Sequence, residues 1–285
     1  MRGAPTLGPN EDVCNTATNV KSSPRIRPAA VAGSFYPGHR RPLETSIDEL
    51  LAAATRQGGR PKALVVPHAG YLYSGPIAAS AYVQLREPFP TRVVLLGPSH
   101  FDPVRGMALP RADFFATPMG DVPLDAAALD AVKHLAGVET SASGHQREHS
   151  LEVQLPFLQR MLPHFALVPL SLGRPSIDDV ATVLDALWGG EETLIVISTD
   201  LSHYLPYDAA RVIDQATARS ILACDPAIDD EQACGSYGLR GLLQVARRRH
   251  LTAVQLDLRN SGDTAGDHSR VVGYGAFAFY ERTQP

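Results

Sequence analysis

Two histidines stand where short apolar runs end. Ala63-Leu64-Val65-Val66 runs into Pro67-His68-Ala69-Gly70-Tyr71, and Val93-Val94-Leu95-Leu96 into Gly97-Pro98-Ser99-His100. Imidazole binds Zn, Cu, Fe and Ni, so two of them delivered from equivalent strand ends make a natural pair of metal ligands. Each could instead cap its strand or fill a cleft by hydrogen bonding. A third run, Leu194-Ile195-Val196-Ile197, leads to Ser198-Thr199-Asp200-Leu201-Ser202-His203. Its D-x-x-H spacing lets the Asp200 carboxylate orient the His203 imidazole, leaving the other ring nitrogen for acid–base work or support of a metal ligand. Ser198, Thr199, Asp200 and Ser202 are also all capping types, so a helix N-cap fits the same stretch.

Cys234 precedes Gly235-Ser236-Tyr237-Gly238 and an amphipathic helical pattern from Leu239 to Arg249. A thiol near a helix N-terminus feels the positive end of the dipole, which lowers its pKa and favours the thiolate, the form that ligates and attacks. The alternative is a small buried hydrophobe, which suits Cys224, inside the preceding helical pattern, well. Glu148-His149-Ser150-Leu151-Glu152 is expected to open a helix striped by Leu151, Leu155, Leu158 and Leu162. There Glu148 and Glu152 would share a face, with His149 on the next row. Acids early in a helix also complement its dipole, so a structural role is expected for Glu152. His145, Glu148 and His149 remain candidates for lining a polar cleft. His39, His134, His164 and His250 have no such context and read as surface residues. No G-x-S-x-G elbow, P-loop or G-x-G-x-x-G occurs, so the usual Ser-hydrolase and nucleotide-binding arrangements lack their signatures.

These groups need strands and helices to position them. The three runs are short, continuously apolar and β-branched, as in strands covered on both faces. Helical patterns lie between and around them, over 43–55, 124–135, 150–162, 177–188, 208–223 and 237–249, and residues 271–280 alternate like a final strand. Alternating strands and helices predict an α/β sandwich with a largely parallel or mixed central sheet. In such sheets ligands bind beyond the carboxyl ends of the strands, so three strand ends carrying His or Asp point to one site. Residues 1–24, rich in Pro, Gly, Asn, Thr and Ser, read as a disordered tail that includes Cys14, to which no role is given. No long linker divides the rest, so 25–285 is expected to be one domain. Of the 285 residues 44% are hydrophobic and 20% charged, ordinary for a globular core. The net charge of −4 and a single basic run, Arg247-Arg248-Arg249-His250, give nucleic-acid binding no support. Three cysteines without a C-x-x-C pair, no signal peptide and no apolar stretch near the ~20 residues of a membrane span together suggest a cytoplasmic protein.

The ordered motifs resemble the MEMO family, whose bacterial members are called AmmeMemoRadiSam system protein B. Ala32-Gly33-Ser34-Phe35-Tyr36-Pro37, the His68, His100 and Glu148–Glu152 motifs, Ser198–His203, Cys234-Gly235 and Ser261-Gly262-Asp263 follow one another as in that family, over about residues 26–280. The resemblance implies a three-layer αβα fold related to the class III extradiol dioxygenases, which use non-haem Fe(II). It also implies His68, His100 and Cys234 as metal ligands, with Asp200 and His203 as nearby polar residues. His149 is taken with these two as a catalytic candidate. The dioxygenases hold iron with two His and one carboxylate; a thiolate is softer, so Cu or Zn stand beside Fe(II) as cofactors. The expected function is an iron-dependent redox enzyme, dioxygenase-like, acting on a small-molecule substrate. The alternatives are a redox-metal binding or scaffold protein serving its companion AmmeMemoRadiSam proteins, and a Zn-type hydrolase.

Overall fold

A computed structural model describes residues 1, 3–4 and 23–281. Cys14 and nearly all of the expected tail lie outside the described residues. In chain order the elements begin with β1 (Ile26–Arg27), α1 (Arg40–Ala53), β2 (Ala63–Val66), α2 (Tyr71–Tyr82) and β3 (Arg92–Pro98). Next come β4 (Met107–Leu109), β5 (Phe114–Thr117), β6 (Gly120–Pro123), α3 (Ala126–Val132), β7 (Val138–Thr140) and α4 (Ser143–Gln146). Then follow α5 (Leu155–Met161), β8 (Ala166–Leu172), α6 (Ile177–Leu187), β9 (Thr193–Ser198) and β10 (His203–Leu205). The chain closes with α7 (Tyr207–Leu222), α8 (Ser236–Arg248), β11 (Thr252–Asn260) and β12 (Val271–Tyr280).

The three apolar runs form β2, β3 and β9, which are buried along nearly their whole length. With β8 they make the parallel centre of a mixed sheet, flanked by antiparallel β12, β11 and β10 on one side and by β4 and β7 on the other. Successive side chains of a strand point to opposite faces. Val65, Val94, Leu96, Ile195 and Ile197 thus share one core with α3, α6, α8 and the end of α7. Leu64, Val66, Val93, Leu95, Leu194 and Val196 share the other with α1, α2 and α5. This is the three-layer αβα arrangement. Register is what matters for function: Val66 pairs with Ser198 and Leu96 with Ile197, so the chain leaves β2, β3 and β9 side by side at one edge.

Two elements depart from expectation. Helix α2 was not legible because it has no apolar stripe: Tyr71, Ser74, Gly75, Ile77, Ala78, Ala79, Ala81 and Tyr82 are all buried, so it is apolar nearly all round. The helix expected over 150–162 is shortened to a 3₁₀ turn at Glu152–Gln154 followed by α5. Residues 148–151 stay in a loop, in which the Ser150 N–H donates to Oε1 of Glu148 at 2.8 Å. Nor does the Ser198–Ser202 stretch cap a helix, because α7 begins only at Tyr207, after the short β10. Among the described residues no helix is long and apolar enough to cross a membrane.

Candidate metal centre

His68 follows β2 and is buried, and its ring is held by β9. The Ser198 hydroxyl donates to the Ser150 carbonyl at 2.6 Å and accepts from the Gln154 amide at 2.8 Å. Its proton being spent, Ser198 Oγ accepts from His68 Nδ1 at 2.9 Å, which leaves Nε2 of His68 with a free lone pair. His100, beyond β3, is treated in the same way by a carboxylate. Its Nδ1 donates to Oε1 of Glu148 at 3.0 Å and its backbone N–H to Oε2 at 2.6 Å, so Nε2 is again free. A ring nitrogen tied to an acceptor while the other keeps its lone pair is the arrangement that orients metal-binding histidines. Burial works to raise the pKa of Glu148, but the His100 contacts and the Ser150 N–H outweigh it and hold the group down to about 2.

The third imidazole is His149, from the loop before α5. Its ring stacks on His100 at 4.6 Å between centroids and packs on Phe35 at 4.8 Å. The nitrogens that His68, His100 and His149 offer all lie within 4.8 Å of one another. Burial lowers the pKa of His149 to about 4 and that of His68 well below its ordinary value, with His100 adding to both shifts. At neutral pH these rings are therefore unprotonated, as ligation requires. Among the described residues His149 Nδ1 is buried without a well-formed hydrogen bond, Glu148 Oε1 standing 3.3 Å away, a cost that a bound cation would relieve.

Cys234 lies at the edge of this cluster and is not within the mutually close group, although its Sγ is 3.4 Å from His68 Nε2. Two ligands at ~2.3 Å (sulfur) and ~2.1 Å (nitrogen) from one tetrahedral ion are ~3.5 Å apart, so the pair is spaced as ligands are. The expected lowering of its pKa does not occur. Cys234 stands two residues outside α8, and burial, with the Asp200 carboxylate beside it, pushes the thiol up to about 12. Burial outweighs the dipole where no cation is bound.

Asp200 and His203 are both brought to this edge, but not as a pair. Oδ1 of Asp200 accepts the His68 N–H at 2.8 Å, and the Asp200 N–H points at Cys234 Sγ at 3.3 Å. Among the described residues no hydrogen bond links its carboxylate to His203, whose partner is the Leu201 backbone. Asp200 therefore orients the two flanks of the cluster rather than His203. Burial raises Asp200 to about 7 against the opposing N–H groups of His68 and Ala69. Half-buried His203 is lowered by burial, with a smaller contribution from His100.

The expected sharing of a face by Glu148 and Glu152 is also corrected. With no helix at 148–151, Glu148 turns to His100, while Glu152 turns away to Arg27 and Tyr36. His145 lies in the core, its Nε2 donating to the Ala108 carbonyl at 2.8 Å. Of the two groups that set the tautomer of His68, Ser198 was read from sequence only as a capping type and Gln154 was not singled out. Pairing the ends of β2 and β9 in parallel would have brought Ser198 beside His68. Ser261–Asp263 forms a capped 3₁₀ turn.

His145 supplies a pH test of the core. Burial lowers it from 6.5 to about 4, so between those values the unfolded chain binds a proton that the folded one refuses. The stability it contributes is complete above pH ~6.5 and is lost as pH falls toward ~4. Wild type should lose about 3 kcal/mol more than His145→Gln across that window. Urea unfolding of both proteins at several pH values measures the difference, in which the groups they share, including Asp200 with its opposite shift, cancel.

Fold and cluster define a three-layer α/β protein with a candidate three-imidazole metal site beyond the carboxyl ends of its parallel strands. Residues 27–278 match the family model described as Memo-like protein. A MEMO1 family protein of Aquifex aeolicus (strain VF5) is 34% identical over 266 residues, covering 88% of this chain and 97% of the relative. One of Nitrosopumilus maritimus (strain SCM1) is 34% identical over 278 residues, covering 89% and 99%. The crystal structure of an uncharacterized Escherichia coli K12 protein shares the fold, with a TM-score of 0.50 and 16% identity over 76% of this chain and 99% of that one. The chain belongs to the MEMO family.

Proposed function

We propose that the protein is a mononuclear non-haem metalloenzyme, an iron-dependent oxidoreductase acting on a small molecule. The observation that carries this reading is the convergence of three imidazoles whose ligand nitrogens lie within 4.8 Å of one another. His68 and His100 are the shared ligands, Cys234 supplies the thiol, and His149 offers a further imidazole. The chemistry of the donors fits such a group: one imidazole nitrogen of His149 is buried without a hydrogen bond, and burial disfavours the anionic forms of the Cys234 thiol and the Asp200 carboxylate, forms that a bound cation would favour. Bound Fe(II) would supply one-electron chemistry and activation of O₂. Glu148 and Ser198 hold the two ligand rings in one tautomer, and Asp200 fixes the backbone of His68 through its carboxylate and that of Cys234 through its carbonyl. His203, unprotonated at neutral pH, takes or returns a proton on the substrate side. Phe35 and Phe101 pack on the His149 ring and flank the cluster.

Protein purified without added metal should carry iron in preference to copper or zinc by elemental analysis. Loaded anaerobically with Fe(II), it should bind nitric oxide with a new visible absorption, and His203→Ala should keep the metal yet lose proton-dependent reactivity. Zinc alone would turn the reading toward hydrolysis. Copper, with no change on adding nitric oxide, would turn it toward metal handling.

A further inference from the structure

The segment from β1 to α1 is a strap across the outer side of the loop that carries Glu148 and His149. Arg27, 6% exposed, donates from Nε to the His145 carbonyl at 2.9 Å and from Nη2 to the Glu148 carbonyl at 2.6 Å. Its remaining nitrogen pairs with the fully buried Glu152. The same carboxylate accepts the N–H groups of Ala30 at 2.7 Å and Val31 at 3.0 Å, and the Tyr36 hydroxyl at 2.5 Å. Phe35, next along the strap, lies against the His149 ring. On its inner side the loop is tied to the sheet through Ser150, which bonds the Pro98 carbonyl at 2.8 Å and accepts from Ser198 at 2.6 Å. Residues 147–151 have no regular structure of their own, so these two sets of bonds decide where Glu148 and His149 point.

We propose that Arg27 is a positioning residue for the imidazole cluster, and that docking of the strap and binding of a metal strengthen each other. The inference rests on the metal-binding reading above. Its physical basis is that Arg27 grips one carbonyl in α4, just before the loop, and a second within the loop. One of these belongs to Glu148, whose side chain orients His100, and the next residue is His149. A planar guanidinium can hold two carbonyls and a carboxylate at once; an ammonium keeps the charge but not the fork. Groups that orient ligands from behind typically change metal affinity ~10–100-fold. Reciprocity then requires that metal favour the docked strap by the same factor.

The test compares wild type, Arg27→Lys and Arg27→Gln, with Arg25→Gln as control, since among the described residues Arg25 pairs with exposed Asp113, away from the loop. Co(II) is the probe, its affinity measured by chelator competition and its coordination by visible spectrum. Both Arg27 variants should bind Co(II) ~10–100-fold more weakly with an altered spectrum. Stability should fall chiefly in Arg27→Gln, which leaves Glu152 without its cation. In wild type, Co(II) should slow hydrogen exchange at Ala30 and Val31, because amides that open locally feel the ion only if their opening weakens its binding. A folded Arg27→Lys with wild-type affinity and spectrum, or strap amides indifferent to Co(II), overturns the inference and leaves the metal reading standing. If the Arg27 variants do not fold, the exchange measurement on wild type decides alone. Wild type that binds no Co(II) overturns both.

Discussion

Alanine at His68 or His100 should abolish stoichiometric metal binding while leaving a folded protein. Each ring turns its Nε2 to the cluster while its other nitrogen is committed to Ser198 or Glu148, so either substitution removes one of the two ligands that the surrounding groups hold in place. The fold should survive because His100 is at the exposed rim and because removing His68 leaves Ser198 still bonded to Ser150 and Gln154. Glu148→Gln is the graded case: it keeps the shape but weakens the hold on His100, and metal affinity should drop ~10–100-fold rather than vanish. Cys234→Ala and His149→Ala separate the two candidates for completing the site. Loss of metal in the first and weakened retention in the second is the expected pattern, and the reverse would make the site an all-imidazole one. Cys224→Ser, buried in the core away from the cluster, is the control and should keep its metal. Elemental analysis together with circular dichroism checks all of these.

Glu152→Ala should destabilise the protein by about 3–5 kcal/mol, the cost of leaving a buried cation without its partner. The position is fully buried and one carboxylate serves four donors: Arg27, the N–H groups of Ala30 and Val31, and the Tyr36 hydroxyl. Burial is the largest cause that raises the pKa of that hydroxyl and persists without Glu152, so ionisation of Tyr36 does not relieve the loss. A double change, Arg27→Met with Glu152→Leu, distinguishes this arrangement from a simple ion pair. Replacing both partners of an isolated buried pair is often neutral or stabilising. Here it should recover only part of the loss, because the Val31 N–H and the Tyr36 hydroxyl would remain buried and unpaired. Equilibrium denaturation of the three variants measures it, and full recovery in the double variant would reduce Glu152 to a counter-ion.

The strand ends, and with them His68, His100 and Asp200, were legible because each strand is a short apolar run that stops abruptly, a pattern produced by burial on both faces. Helices α1, α6, α7 and α8 were legible because one face is wet and their apolar residues recur with helical period. Helix α2 was not, since burial nearly all round erases that period. The turn at 148–151 was not either. Its leucine stripe is real, but the carboxylates of Glu148 and Glu152 are drawn in opposite directions by His100 and Arg27, which come from distant parts of the chain.

By itself, then, the sequence determined which groups could do chemistry and that parallel strands would carry three of them to one edge, because residue type and local periodicity are local properties. Tertiary structure decided the pairings and protonation states. Asp200 serves the His68 backbone instead of His203, and Ser198 is a ring partner instead of a cap, because parallel register brings β2 and β9 together across 132 residues. Cys234 is held protonated although it precedes a helix, because desolvation and the neighbouring carboxylate depend on everything packed around the thiol and outweigh one dipole two residues away. His149 joins His68 and His100 only because a strap from the far end of the chain and the sheet hold its loop between them.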